Sequence, residues 1–124
     1  MEKAKTFEDL RIWQQARILV KEIYQDFSHG RGSRNFGFHE QIQRVGISIM
    51  NNIAEGFERK TDIEFARFLD ISKGSCGETR SMYYTAEDLG YLNSDFSVII
   101  TSWKYSQYIR DYGILDDPQF IVAA

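Results

Sequence analysis

The chain has 124 residues, 43% of them hydrophobic and 27% charged, with a formal net charge of −3. That size and composition describe one soluble domain with a core of its own and exclude a disordered chain. One cysteine excludes an intrachain disulfide framework, and a negative balance gives no general drive toward nucleic acid or anionic membrane.

Hydrophobic spacing divides the chain into four helical segments. The first is expected over about residues 7–28. Thr6 followed by Asp9 forms a capping-box pattern, and Leu10, Trp13, Ala16, Val20, Ile23 and Phe27 recur at helical steps. The glycine-rich stretch His29–Asn35 reads as a loop. A second helix is expected over about 38–57, with Ile42, Val45, Ile49, Ile53 and Phe57 on one face and Gly56 at its end. Thr61 and Glu64 mark a third start, and the third helix is expected over about 62–89. Its stripe includes Phe65, Leu69, Cys76 and Tyr83. Gly74 and Gly77 lie within it, where a close backbone approach would best tolerate them. Gly90 reads as its stop. A fourth helix is expected over about 95–112, followed by a short acidic tail over 113–124.

Four amphipathic helices with three short connections predict an all-α protein, an antiparallel up-down four-helix bundle filling residues 1–124 as a single domain. No apolar run approaches the roughly twenty residues of a membrane span. MEKAKTFEDL has no apolar core of a signal peptide. The expected location is therefore cytoplasmic, without a membrane partner.

The second helix carries two stripes. Beside its apolar face, Gln41, Arg44, Ser48, Asn52 and Glu55 recur at steps of three and four. Such a line reads either as a solvated face or as a polar seam against a neighbouring helix or subunit. In a seam, Arg44 needs a carboxylate, and Glu55, Glu78 and Asp70 are the candidates. Repeated across chains, the seam would fix the register of an oligomer.

The stretch from Phe36 to Arg59, centred on Ser48-Ile49-x-x-Asn52-Ile53-Ala54-Glu55-Gly56, resembles the signature of the four-helix-bundle proteins found in intervening sequences of bacterial 23S rRNA genes. Phe7-Glu8-Asp9-Leu10-x-x-Trp13, Glu64-Phe65-x-x-Phe68-Leu69, Gly74-Ser75-x-x-Glu78 and Leu89-Gly90-Tyr91-Leu92 support the resemblance in order along the chain. It implies an up-down bundle that assembles as a homopentamer, with no known catalytic residues to carry over. Gln41, Arg44, Ser48, Asn52, Glu55, Gly56 and Glu78 are the matching signature positions. The accessory protein of diversity-generating retroelements, similar to this family, binds nucleic acid and a reverse transcriptase through a basic surface. The glycine-rich first loop and the negative charge depart from those patterns.

Chemical signatures are sparse. The chain has no Glu-x-x-His pair, no P-loop, no nucleophile elbow and no dinucleotide glycine fingerprint. No metal, cofactor or catalytic residue is expected. Cys76 falls on the apolar stripe of an inert core thiol. His29 and His39 read as ordinary helix-end residues. One local basic cluster joins Arg31, Arg34 and Arg44, with Phe36 and Phe38 interleaved, as a nucleic-acid contact would require. Its bland reading is a solvated loop. The expectation is a non-enzymatic homo-oligomeric scaffold, associated with nucleic acid or with a protein client. The alternative is an enzyme or small-ligand binder with a buried polar site of Arg44, Glu55 and Glu78.

Overall fold

A computed structural model of the chain describes residues 4–92. Among the described residues there are helices and no strands, so the fold is all-α. The expected fourth helix over 95–112 and the acidic tail lie outside the described residues. A 3-10 turn, Phe7–Asp9, leads into α1, Arg11–Asp26. The short α2, Arg31–Arg34, precedes the two longest helices, α3, Phe36–Phe57, and α4, Asp62–Asp88.

The first segment is not one continuous helix. Thr6 and Asp9 do close a capping box, and the Asp9 carboxylate accepts from the Lys5 and Thr6 N–H groups at 3.0 and 3.2 Å. They cap only the 3-10 turn, because Leu10 is extended (φ −74°, ψ 122°) and α1 begins after it. Leu10, Ala16, Ile23 and Phe27 are buried as their spacing predicts, and Ile12 and Leu19 are buried in place of Trp13 and Val20. Ile12, Ala16, Leu19, Ile23 and Phe27 fill the core, whereas Trp13 and Val20 are half-buried. On α3 the expected Ile42, Val45, Ile49 and Ile53 are buried, and on α4 so are Phe65, Leu69, Cys76 and Tyr83.

Contacts fix the relative directions of the three long helices. The Ser72 hydroxyl donates to the Ile49 carbonyl at 2.8 Å, and Gly56 lies against Phe65 and Phe68. Rising numbers on α3 therefore meet falling numbers on α4. Gly46 meets Ile23, and Phe38 stacks edge-on against Phe27, so α1 and α3 are opposed in the same sense. Thr61 caps α4 by accepting from the Glu64 N–H at 3.2 Å, as its spacing predicts.

The stretch expected as a loop contains a helical turn, and its packing explains why. A Cβ on Gly32 would stand 3.1 Å from the Phe27 ring and 3.2 Å from Tyr91, so a larger residue would push these rings back by a few tenths of an ångström. The Arg31 guanidinium donates to the carbonyls of Leu89 and Gly90 at 2.7 and 3.4 Å. Asn35 accepts from the Phe38 N–H at 3.2 Å as the α3 N-cap, and its amide donates to the Tyr91 hydroxyl at 2.8 Å. This clasp meets the end of α4, where Gly90 takes φ 70°. The Tyr91 N–H reaches the Ala86 carbonyl and the Gly90 N–H reaches Glu87, which is a Schellman ending. Phe27, Phe38, Tyr83 and Tyr91 pack edge to face beneath it.

Candidate functional site

The polar stripe of α3 divides into a middle and two ends. In the middle, Ser48 and Asn52 are half-buried, and Ser48 meets α4 at Ser75. The Ser48 and Ser75 hydroxyls lie 2.9 Å apart, and the Asn52 amide donates to the Ser48 carbonyl at 2.7 Å and its hydroxyl at 2.9 Å. Below them the Thr79 hydroxyl donates to the Ser75 carbonyl at 2.9 Å. Short side chains that satisfy one another's hydrogen bonds let two backbones pack closely without stranding a polar atom.

The ends face solvent. Arg44 pairs with Glu40 at 2.7 Å, with side chains 69% and 70% exposed. Glu55 pairs with Arg59 at 3.4 Å, and the Arg59 guanidinium also lies 4.9 Å from the Phe68 ring centroid. Exposed i,i+4 pairs of this kind are worth only about 0.3–0.5 kcal/mol each. Gln41 and Glu78 are exposed too. The carboxylate expected for Arg44 from Glu55, Glu78 or Asp70 is thus supplied by Glu40, one turn away on the same helix. The buried polar site expected of Arg44, Glu55 and Glu78 does not form within the chain. All three are exposed, and eleven residues of α3, roughly 16 Å along its axis, separate Arg44 from Glu55.

The basic cluster also comes apart. Arg31 is committed to the end of α4, and Arg44 to Glu40. Arg34 is exposed, with its Nε 3.5 Å from the Gly30 carbonyl, and Phe36 is 79% exposed. Phe38 is turned inward onto Phe27 and Tyr91. The clasp formed by Arg31 and Asn35 falls in the stretch read as a loop, because the distant Leu89 and Gly90 carbonyls leave no local signal.

Among the described residues no group of three His, Cys, Asp or Glu side chains is placed to hold a metal ion. His39 lies 3.0 Å from the Gln43 amide, His29 lies 2.9 Å from the Ser28 hydroxyl, and Cys76 is fully buried. No described helix is long and apolar enough to cross a membrane. The titration of Asp9 is shifted. Its carboxyl is held below the ordinary 3.8, first by the Lys5 N–H and then by the Thr6 N–H.

Helices α1, α3 and α4 with an interlocked polar and apolar interior define a helical-bundle protein. Residues 8–103 match the 23S rRNA-intervening sequence protein family, and the chain belongs to that family. No curated protein matches the chain.

Proposed function

We propose that the protein is a non-enzymatic homo-oligomeric scaffold of the cytoplasm, presenting repeated helical surfaces to a client. The observation that carries this reading is the outer face of the α3–α4 hairpin. Its centre is closed by Ser48, Asn52 and Ser75, while Ile71 stays 52% exposed and Gly74 has nothing within 4 Å of a would-be Cβ among the described residues. A 27-residue helix with an exposed isoleucine beside an open glycine is shaped for close contact with another helix. The outward Tyr24 and Tyr84, at 39% and 53% exposure, offer aromatic contact elsewhere on the surface. Resemblance to the intervening-sequence proteins makes a homopentamer the stoichiometry to test.

Light scattering behind size exclusion, at two concentrations and two salt levels, tests the reading. A stable mass at a multiple of 14.5 kDa is expected. A monomer at both concentrations overturns it.

A nucleic-acid client is the second reading, favoured by the exposed Phe36 beside the exposed Arg34. Bases would stack on the ring while the guanidinium meets phosphate. It predicts binding that falls steeply with salt and is lost in Arg34→Ala/Phe36→Ala; salt-insensitive binding rejects it.

A further inference from the structure

Helices α1 and α4 carry ridges of opposite charge. From Arg11 to Lys21, α1 holds three cations and no acid. Arg17, Lys21 and Gln25 follow at steps of four and form one ridge, turned away from the buried Ile12, Ala16, Leu19 and Ile23. Arg17 and Lys21 are exposed, and with Gln14 and Ile18 they line a shallow hollow. Among the described residues neither makes an ion pair, and the Arg17 guanidinium lies 5.7 Å from the Trp13 ring centroid. On α4, Asp70, Gly74 and Glu78 also follow at steps of four, turned away from Phe65, Leu69, Cys76 and Tyr83. Both carboxylates are exposed, and neither is paired among the described residues.

The fold sets the two ridges at one level. Helices α1 and α4 both run against α3, so they are parallel to each other. Phe27 and Tyr83 meet with ring centroids 5.5 Å apart, and the Tyr83 hydroxyl donates to the Asp26 carboxylate at 2.7 Å, which fixes the register of the two helices. Counting ten residues from that pair toward both N-termini puts Arg17 level with Lys73, one turn from Asp70. Counting six puts Lys21 level with Gly77, beside Glu78. The ridges belong to different helices, so one copy can offer its α1 ridge to one neighbour and receive another neighbour on its α4 ridge.

We propose that α1 of each copy docks in parallel on α4 of the next, with Arg17 against Asp70 and Lys21 against Glu78. The reading rests on the homo-oligomer and names the joint that holds it together. A contact between two different faces is heterologous, and it closes into a ring when successive copies do not climb along the axis. Here the matched residues share one level, so the joint adds no rise. An odd number of chains, five included, satisfies it as well as an even one. Opposite charges set the direction and register of the joint, and the exposed Ile18 and Ile71 beside the ridges bring apolar area to it.

The test is the native mass of the full chain by light scattering in low salt, with helicity by circular dichroism as the check on folding. The wild type is expected at a multiple of 14.5 kDa. Arg17→Glu/Lys21→Glu sets like charges at every joint and is expected to lower the mass to that of one chain. Asp70→Lys/Glu78→Lys is expected to do the same, and the chain carrying all four substitutions is expected to assemble again. A cross-linking measurement does not depend on those variants. Lys21→Cys/Glu78→Cys, treated with a short thiol-to-thiol cross-linker, is expected to run as a ladder of joined chains in a denaturing gel. Lys21→Cys alone is expected to stay single, because α1 never meets α1 and the native Cys76 is fully buried. A mass unchanged by both double variants, or no ladder from an assembled protein, overturns the joint and leaves the scaffold reading standing. Joined chains from Lys21→Cys alone overturn the head-to-tail arrangement. Loss of mass without recovery in the fourfold variant overturns the pairing of these four residues. A monomeric wild type overturns both readings together.

Discussion

Gly56, in the last turn of α3, and Gly77, inside α4, are both helical glycines, yet the structure assigns them opposite responses to alanine. A Cβ at Gly56 would stand 2.6 Å from Phe68 Cβ and 3.0 Å from Phe65 Cδ1. The Phe68 Cβ is fixed to its backbone, so no rotamer change relieves the closer contact and α4 itself must move. Overpacking of this kind costs about 1–3 kcal/mol, and the helix propensity regained is at most about 1 kcal/mol. Gly56→Ala should therefore destabilise by about 1–2 kcal/mol. At Gly77 the closest side chain among the described residues is the Arg80 guanidinium at 4.0 Å. Gly77→Ala should gain up to about 1 kcal/mol from propensity alone. Urea unfolding measures both, with the slope held common; at about 1–3 kcal/mol/M a separation of about 1–3 kcal/mol moves the two midpoints apart by about 0.3–3 M. Equal midpoints, or a stabilised Gly56→Ala, would refute the close approach of α3 and α4 at that end of the hairpin.

Two further outcomes test the clasp and the first turn. Arg31→Ala removes the guanidinium bonds to the Leu89 and Gly90 carbonyls, at a cost of about 1 kcal/mol, and should speed amide exchange at Gly90 and Tyr91 by about fivefold. Arg34→Ala should leave that exchange unchanged; equal effects would show that Arg31 is not a cap. The folded Asp9 carboxyl is held below 3.8, so its contribution is present above the unfolded value and is lost as pH falls through the folded one. NMR titration should place the Asp9 midpoint below 3.8 in the folded protein, and Asp9→Asn should remove this acid-range dependence. A midpoint at or above 3.8 would mean that the Lys5 and Thr6 N–H groups do not hold the carboxylate.

Much of the fold was legible because it follows from local rules. Ile42, Val45, Ile49 and Ile53 recur at helical steps and are all buried, and Thr61 caps α4 from its own sequence neighbourhood. What was not legible depends on residues far apart in the chain. The α2 turn forms because Phe27 and Tyr91 press on Gly32 and because Arg31 reaches Leu89, 58 residues away. Gly56 was legible as a helix end but not as the place where Phe68 needs room. The expected close backbone at Gly74 and Gly77 is not present among the described residues, since Gly74 has nothing within 4 Å and Gly77 only a guanidinium.

The polar stripe shows the same division within a single helix face. Its spacing located Gln41, Arg44, Ser48, Asn52 and Glu55 on one line but could not say which of them meets α4. Hydroxyl and amide groups are short and can bond to a facing helix at van der Waals distance, as Ser48 does to Ser75. Arginine and glutamate are long and cost more to desolvate, so within one chain they turn outward and bond along their own helix, as Arg44 does to Glu40. The middle of the stripe therefore holds the hairpin together. Its ends keep their charges on the surface, paired along their own helix.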